Sequence, residues 1–402
     1  MNSGFAKRLT GLYVGVLATL TSMTAWSGEW SGYVAGEWRY FPDDSSYAKQ
    51  FDGGNLSFST QPEYYTRWDN GDQSLIFTPF VRVDENDDER THADIRELSW
   101  LKVADAWELR VGIRKLFWGV TESQHLVDII NQTDLVENID GEDKLGQPMI
   151  NLALINDWGT VDLFVLTGFR ERTFPGEKGR LRTALPVDTD NAVYESGAKE
   201  KHIDFAVRWA RFIDIWDIGL SYFYGTSRDP LFVANDPVNP TALLPVYNII
   251  NQAGLDAQAT VSNWLWKLEL ISRGGQGDRY TALTGGFEYT FVGIFDTRMD
   301  LGVISEYLYD DRDEDAITPF NNDMMMGARF TLNDAQSTEL LAGFIIDLDN
   351  DGRLFNLEAS RRLGDAWKLT VEARTFSNLE TSDPLYSLRN DNHLQLELAW
   401  YF

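Results

Sequence analysis

The sequence of 402 residues contains no cysteine, so it offers no disulfide framework, no cysteine-borne lipid anchor and no thiol chemistry. Histidine is scarce as well, and the four residues, His92, His125, His202 and His393, stand in no recognisable catalytic motif. Hydrolytic enzymes usually pair a histidine with a nucleophile or carboxylates, so we expect that the protein is not an enzyme. The 35 basic residues are outnumbered by 62 acidic ones, which argues against nucleic acid as a partner.

Long hydrophobic runs are absent beyond the first residues. Lys7 and Arg8 precede an apolar stretch from Leu9 to Leu20, and the small residues Ala25 and Ser27 follow. This pattern is typical of a secretory signal peptide, and the stretch is shorter than the roughly 20 residues of a transmembrane helix. We therefore expect residues 1–27 to be an export signal. Because no linker or change of composition divides residues 28–402, we expect them to form a single domain.

The last residues alternate in polarity. From Leu394 to Phe402 every second residue is apolar, while Gln395 and Glu397 occupy the other register. This alternation predicts a strand with two unlike faces. A strand at the end of a chain leaves an open edge unless it pairs, and closing a barrel provides that partner. We therefore expect this strand to pair with the first strand, near residues 30–40.

Similar alternation recurs along residues 28–402, separated by polar connections such as Asp69-Asn-Gly-Asp72, in which Asn-Gly is a strong hairpin signal. Our division gives eighteen strands, joined by connections that alternate strictly between short and long. Among them are residues 94–103, where the alternation is irregular, 107–117 and 160–169. An even count, short turns on one side and long loops on the other, and abundant aromatic residues fit a transmembrane barrel. The predicted fold class is all-β, an antiparallel up-and-down transmembrane β-barrel of about 18 strands, with 16 strands as the alternative.

The terminal strand that ends in Phe402 resembles the last strand of outer-membrane β-barrels of Gram-negative bacteria. The resemblance implies export through the periplasm to the cell outer membrane and assembly by the barrel assembly machinery through this strand. It also implies contact with outer-membrane lipid and lipopolysaccharide. It leaves open a homo-oligomer.

The longest structured connection is the third long loop, residues 119–148. Its stretch Val127–Asp134 includes three apolar residues that would be costly to leave in water, so we expect the loop to fold inward against the barrel wall. This arrangement resembles the constriction of porins, where the third loop carries carboxylates that face a basic wall. The predicted pore constriction consists of the loop acids Glu122, Asp128, Asp134, Glu137 and Asp140 and of the wall bases Arg39, Arg82, Arg96, Arg110 and Arg114.

The resemblance implies a porin-like channel for passive diffusion of small hydrophilic solutes, with electrostatic selection at this loop. Opposed charges across a narrow pore orient dipolar solutes and disfavour apolar ones. Two alternatives remain open: a surface binding or adhesion barrel whose acidic loops bind cations, and an enzyme carried on a barrel.

One further motif concerns a metal. Residues 347–358 satisfy the twelve-residue calcium-loop pattern, with Asp347, Asp349 and Asp351 as the candidate Ca²⁺ ligands. The flanking residues alternate as strands and not as helices, so Asp, Asn and Gly also suit an ordinary hairpin tip here. We expect no other cofactor.

Overall fold

The computed structural model describes residues 28–313, 316 and 318–402, so the predicted signal peptide, residues 1–27, lies outside the described residues. The first strands are β1 (Glu29–Phe41), β2 (Gly53–Trp68), β3 (Gln73–Asp84), β4 (His92–Val103), β5 (Trp107–Arg114), β6 (Gln147–Asn156), β7 (Gly159–Thr167), β8 (Val193–Tyr194), β9 (Ile203–Ile213), β10 (Trp216–Thr226) and β11 (Leu231–Ala234). The others are β12 (Leu243–Tyr247), β13 (Ile249–Val261), β14 (Trp264–Gly274), β15 (Tyr280–Phe291), β16 (Asp300–Asp310), β17 (Asn322–Thr331), β18 (Glu339–Asp347), β19 (Arg353–Leu363), β20 (Trp367–Ser377) and β21 (His393–Tyr401). Short 3₁₀ turns occur in the connections.

Eighteen of these strands form one closed antiparallel barrel. Each pairs with the next along the chain, with β7 pairing β9 and β10 pairing β13, so that β8, β11 and β12 stand outside the ring. The ring closes where β21 pairs with β1, Tyr33 standing opposite Tyr401. The Phe402 amide also donates to the Gly32 carbonyl over 3.1 Å. The predicted strand count and the predicted pairing of the two ends are confirmed.

The two faces of the wall differ as the alternation predicts. On β1, Val34 and Trp38 face outward and are exposed, whereas Glu37 and Arg39 face the interior and are buried. On β21, Leu394, Leu398 and Trp400 are exposed on the outside. Since successive side chains of a strand point to opposite faces, the closed ring places every second residue inside the barrel.

Two strand ends were predicted too late. The sequence suggested that β5 runs to Phe117, but it ends at Arg114, because the Leu116 amide donates to the Asn131 side chain and the Trp118 amide to Asp128. Similarly, β7 ends at Thr167 and not at Phe169. At these points the backbone is satisfied by loop groups and leaves the wall.

Alternation also breaks within β4. Pairing with β3 shifts between Thr78 and Pro79, and a β-bulge results. Pro79 has no N–H to contribute to the ladder, and proline within sheets is usually found at edges or bulges. Ile95 and Leu98, three residues apart, are therefore both exposed on the outer face, while Arg96 faces the interior.

The predicted strict alternation of connection lengths is wrong at two places. Both ends of the described barrel wall, Glu29 and Tyr401, lie at the end that carries the turns after β2, β4 and β6, which we call the turn end; the other is the loop end. The loop-end connections 275–279 and 348–352 are shorter than the turn-end connections 292–299 and 332–338. A small sheet of β8, β11 and β12 in the loop-end connections was not predicted.

Aromatic side chains form clusters on the outer face near the two ends. Trp264 and Trp266 stack near the turn end, with centroids 5.5 Å apart, whereas Trp38 and Tyr40 stack towards the loop end at 5.6 Å. Aromatic girdles at both interfaces are typical of barrels that span a membrane. Within the described residues, no helix combines the length and hydropathy needed to cross a bilayer.

Candidate functional site

The connection between β5 and β6, residues 115–146, lies in the barrel interior, and we call it the inner loop. Val127, Ile129 and Ile130 are buried, each at most 2% exposed. They pack in one apolar cluster with interior side chains of β6, β7, β9, β10, β13, β14 and β15. Burying side chains of this size contributes about 1.5–3 kcal/mol each. This cluster holds the middle of the inner loop against one part of the wall.

Two buried wall carboxylates bind the backbone of the inner loop. Glu269 on β14 accepts hydrogen bonds from the amides of Val120, Thr121 and Val127 at 2.7–3.1 Å. Glu306 on β16 accepts from the next two amides, those of residues 122 and 123. The first part of the inner loop has no regular secondary structure, so its N–H groups need such acceptors. Hydrogen bonds to a charged acceptor are also stronger than neutral ones.

The interior faces of β1–β4, which we call the sealed wall, form a second contact with the inner loop. Arg82 reaches Glu37 at 3.0 Å and Glu137 of the inner loop at 2.8 Å. Arg90, in the connection between β3 and β4, lies 2.9 Å from both Glu37 and Asp84 on this wall. All five side chains are at most 6% exposed. Charges buried this deeply depend on one another, because removing one leaves its partner uncompensated in a dry site.

Two other predicted wall bases also contact the inner loop. Arg96 lies 2.5 Å from Asp134, which the Thr173 hydroxyl also contacts. Arg39 donates to Gln395 at 2.7 Å and to the Glu137 carbonyl at 3.3 Å. These contacts are direct, so Arg39, Arg82 and Arg96 bind the loop and do not face its acids across open water.

The remaining predicted residues have other partners. Arg110 pairs with Glu108 at 2.8 Å on its own strand, and Arg114 donates to Asn151 at 3.0 Å. Asp128 accepts hydrogen bonds from backbone amides of its own loop. The structure therefore does not bring these three residues into the same acid–base contact as Arg82 and Glu137.

The interior faces of β17–β20, which we call the open wall, contact the two ends of the inner loop. Asp140 lies 2.7 Å from Arg374 on β20, and Glu122 lies 2.6 Å from Arg329 on β17. Between these two contacts a cavity of about 500 Å³ separates the inner loop from the open wall. The predicted acids Glu122 and Asp140 line this cavity, whereas Asp134 and Glu137 are buried against the sealed wall.

Connections at the loop end cover the sealed wall. The Arg180 side chain lies 2.7 Å from Asp391, whose carboxylate also accepts the Leu181 amide at 2.8 Å. Phe41 and Leu388 pack with Leu181 in an apolar cluster. The connection between β7 and β9 thus reaches across to the connections on either side of β1, above the sealed wall.

Two ionisable groups of the inner loop are strongly perturbed. Burial disfavours the charged imidazole of His125, but the hydrogen bond with Glu142 and the nearby Glu269 carboxylate, 3.7 Å away, outweigh that cost and raise the pKa of His125 to about 10. Burial likewise disfavours charge on Glu137, yet Arg82 and a hydrogen bond with His92 hold the pKa of Glu137 well below its usual value. Both residues are therefore charged at neutral pH.

Two places in the structure group side chains that could ligate a metal. Among the described residues, the ligand atoms of His92, Asp134 and Glu137 lie within 4.8 Å of one another. Arg82 and Arg96 already occupy these carboxylates, and a cation beside them would be repelled, so the cluster does not suit a metal.

The aspartates of the proposed calcium motif lie in the hairpin between β18 and β19. One carboxylate oxygen of Asp347 accepts the amides of Asp349 and Asn350, and the Asp349 carboxylate accepts from Asn322. These bonds are those of a polar turn. Calcium binding by Asp347, Asp349 and Asp351 stays a prediction.

Several site residues were not identified from the sequence. Glu269, Glu306 and Arg374 are lumen-facing charges on strands, and Arg90 lies in the connection between β3 and β4. Each of the four contacts a group that is distant in the chain. The apolar part of the open wall did leave a signal, because residues 339–347 read Glu-Leu-Leu-Ala-Gly-Phe-Ile-Ile-Asp, apolar in both registers. A strand that is apolar on both faces has an apolar patch inside the barrel.

Comparisons with known proteins give a likeness of fold. No protein-family model matches the sequence, and no curated protein matches it. Among solved structures, a mutant of Rh. blastica porin aligns with 12% identity and a TM-score of 0.45, covering 93% of this chain and all of the porin. A triple mutant of Rhodopseudomonas blastica porin gives 13% identity and a TM-score of 0.44 with the same coverage. The strand pairing described above, not these scores, establishes that this chain is a closed 18-stranded antiparallel β-barrel.

Proposed function

We propose that the protein is a passive channel of the bacterial outer membrane, which admits small hydrophilic solutes past a constriction formed by the inner loop. The observation that carries this proposal is the position of the inner loop. It lies across the barrel interior, held at both sides, and leaves a cavity beside the open wall. If side chains and loops filled the whole barrel interior, no cavity would remain between the inner loop and the open wall.

The proposed location in the outer membrane is supported by the outer surface of the barrel. An apolar exterior with aromatic clusters at both ends fits a lipid environment, and the polar interior fits an aqueous one. Assembly in that membrane would use β21 and Phe402, the strand that closes the ring. Lipopolysaccharide, bridged by divalent cations, is the expected partner of the acidic loops at the loop end.

Selection would combine size and charge. The inner loop narrows the lumen, and the carboxylates and bases that line the remaining space select among the solutes that fit. Passage needs no cofactor and no energy coupling in this scheme. His92, His125 and His202 hydrogen-bond to carboxylates and not to a hydroxyl nucleophile, which favours a channel over an enzyme.

Conductance of the purified protein in planar lipid bilayers tests the proposal. We expect stepwise openings whose size changes when Glu122→Gln or Asp140→Asn alters the constriction. Glu108→Gln on β5 is a matched control, because Glu108 is paired with Arg110 away from the inner loop. A folded, heat-modifiable barrel that never conducts would contradict the channel and favour a surface binding barrel.

A further inference from the structure

The cavity beside the open wall has two chemically different sides. Apolar side chains cover much of the wall side, and carboxylates project from the inner loop on the other. Its volume of about 500 Å³ falls in the range of small-molecule sites. A wet passage for purely polar solutes gains nothing from an apolar wall, so this side requires a separate explanation.

The apolar side is continuous across several strands. Met325 on β17, Leu341 and Ile345 on β18, and Leu354 on β19 face the cavity. Ile345 and Leu341 also pack against a buried cluster that contains Met325. Because the open wall presents neighbouring apolar side chains from adjacent strands, a solute with an apolar body can cover them and displace water. The apolar area removed from water in this way stabilises the bound solute in proportion to its size.

The charge around the same cavity is unbalanced, because one basic side chain is shared by several carboxylates. Arg374 lies 2.7 Å from Asp140, 3.7 Å from Glu358 and 3.8 Å from Glu372. One guanidinium cannot neutralise three carboxylates. Glu358 is also 41% exposed at its side chain, so its charge acts on the open space.

The same sharing occurs at the other end of the cavity. Arg329 contacts Glu122 at 2.6 Å and Glu288 at 3.4 Å, although Lys267 also approaches Glu122 at 3.5 Å. His125, even when charged, lies between two carboxylates, one of them Glu142. Acids therefore outnumber bases around the cavity, and the excess negative charge favours cations over anions.

We propose that this cavity binds organic cations that carry an apolar body, such as aryl or alkyl ammonium ions, and that these are the preferred solutes of the channel. The inference rests on the proposed function and names its substrate class. The apolar part of the solute lies on Leu341, Ile345 and Leu354, and its cationic group faces the carboxylates of the inner loop and Glu358. A small inorganic cation satisfies only the second condition, and an aromatic anion only the first.

Open-channel block in planar bilayers separates these conditions. The three probes are benzyltrimethylammonium, tetramethylammonium, which lacks the apolar body, and benzenesulfonate, which carries the opposite charge. We expect benzyltrimethylammonium to reduce the potassium current at concentrations at least about tenfold lower than either of the others, since burying part of a ring contributes more than 1.4 kcal/mol. Equal block by the three probes would overturn the inference.

Single substitutions test what the apolar side and the acidic side of the cavity each contribute to the block. Leu341→Ser should raise the blocking concentration of benzyltrimethylammonium about tenfold and leave that of tetramethylammonium unchanged. Glu358→Gln should weaken block by both cations, whereas Glu108→Gln on β5 should change neither. Weaker block in the Glu108→Gln control, or unchanged block in Leu341→Ser and Glu358→Gln, would contradict the assignment.

Binding is measured independently of conduction. Calorimetry with the detergent-solubilised barrel should show benzyltrimethylammonium binding that Leu341→Ser weakens. If the barrel conducts but shows no preference among the probes, the inference fails and the channel stands. If the barrel binds the probe but does not conduct, the channel fails and the binding site stands. If it neither binds nor is blocked, the inference is wrong.

Discussion

The sealed wall and the open wall are built from the same charged residue types, but the burial and pairing of these residues differ between the two walls. On the sealed wall Arg82 and Arg90 are almost completely buried between Glu37, Asp84 and Glu137, and each base has well-placed partners. On the open wall Arg374 is shared among three carboxylates whose side chains are 14–41% exposed. The buried, compensated charges anchor the inner loop, whereas under the proposed function the exposed, unbalanced charges act on solutes.

The largest effect is expected on the sealed wall. Arg82→Gln removes the base between the buried carboxylates of Glu37 and Glu137 and leaves part of their negative charge uncompensated. This should lower the free energy of unfolding by about 3–5 kcal/mol. Urea unfolding of the barrel in lipid vesicles measures this. Arg110→Gln is the control, because the partly exposed Arg110–Glu108 pair should contribute only about 0–1 kcal/mol. Similar losses in both variants would contradict the distinction between buried and wet pairs.

Weakening the apolar cluster that holds the middle of the inner loop should have a comparable but more local effect. Ile130→Ala creates a cavity beneath the inner loop and should cost about 2–5 kcal/mol, raising both the protease sensitivity of residues 119–142 and the channel conductance. The matched control is Ile150→Ala on β6, where the side chain faces outward and is exposed. If proteolysis of the inner loop is equal in the two variants, the cluster does not hold the loop.

On the open wall, removing a base should change selectivity more than stability. Arg374→Gln leaves Asp140, Glu358 and Glu372 without their shared partner, so permeability to potassium relative to chloride should rise. Reversal potentials in a salt gradient measure it. The loss of unfolding free energy should be smaller than for Arg82→Gln, because water reaches these carboxylates. Unchanged selectivity, or an equal loss of stability, would make the two walls alike.

The smallest effect is a dependence on pH at the first part of the inner loop. The folded-state pKa of His125 is raised from 6.5 to about 10, so the stabilisation from its charged contacts is complete below 6.5 and is lost as pH rises through about 10. Hydrogen exchange of residues 119–128 should therefore accelerate, beyond its intrinsic pH dependence, between pH 7 and pH 10.5. His125→Ala should remove this excess, and His202→Ala should not. An identical profile in His125→Ala and the unmodified protein would contradict the role of His125.

Sequence reasoning predicted the barrel well because strand polarity is a local property. Eighteen segments, the Asn70-Gly71 turn and the closure between β1 and β21 all follow from alternation over short stretches. The errors lie where local pattern competes with a distant partner. The end of β5 depends on Asn131 and Asp128, and the irregular register of β4 depends on Pro79 of the neighbouring strand.

Sequence reasoning predicted which charged residues form the site, but not which of their pairs are buried. The acids of the inner loop and the arginines of the wall were identified as interacting groups, and Arg82–Glu137 and Arg96–Asp134 are in contact. Which pairs are buried and which line open space depends on how the loop lies in the ring, and no local pattern encodes that. The apolar strip of the open wall was legible in residues 339–347, but an apolar run alone does not tell which face matters.

The position of the passage is tested most directly by placing single cysteines in this cysteine-free chain. Leu341→Cys lies on the open wall, and Ser59→Cys lies on the interior face of β2, where Ser59 is 4% exposed. The measurement is the current through single channels during treatment with a cationic thiol reagent. We predict that the current falls for Leu341→Cys and is unchanged for Ser59→Cys. Modification that reduces the current at Ser59→Cys and not at Leu341→Cys would contradict a passage along the open wall.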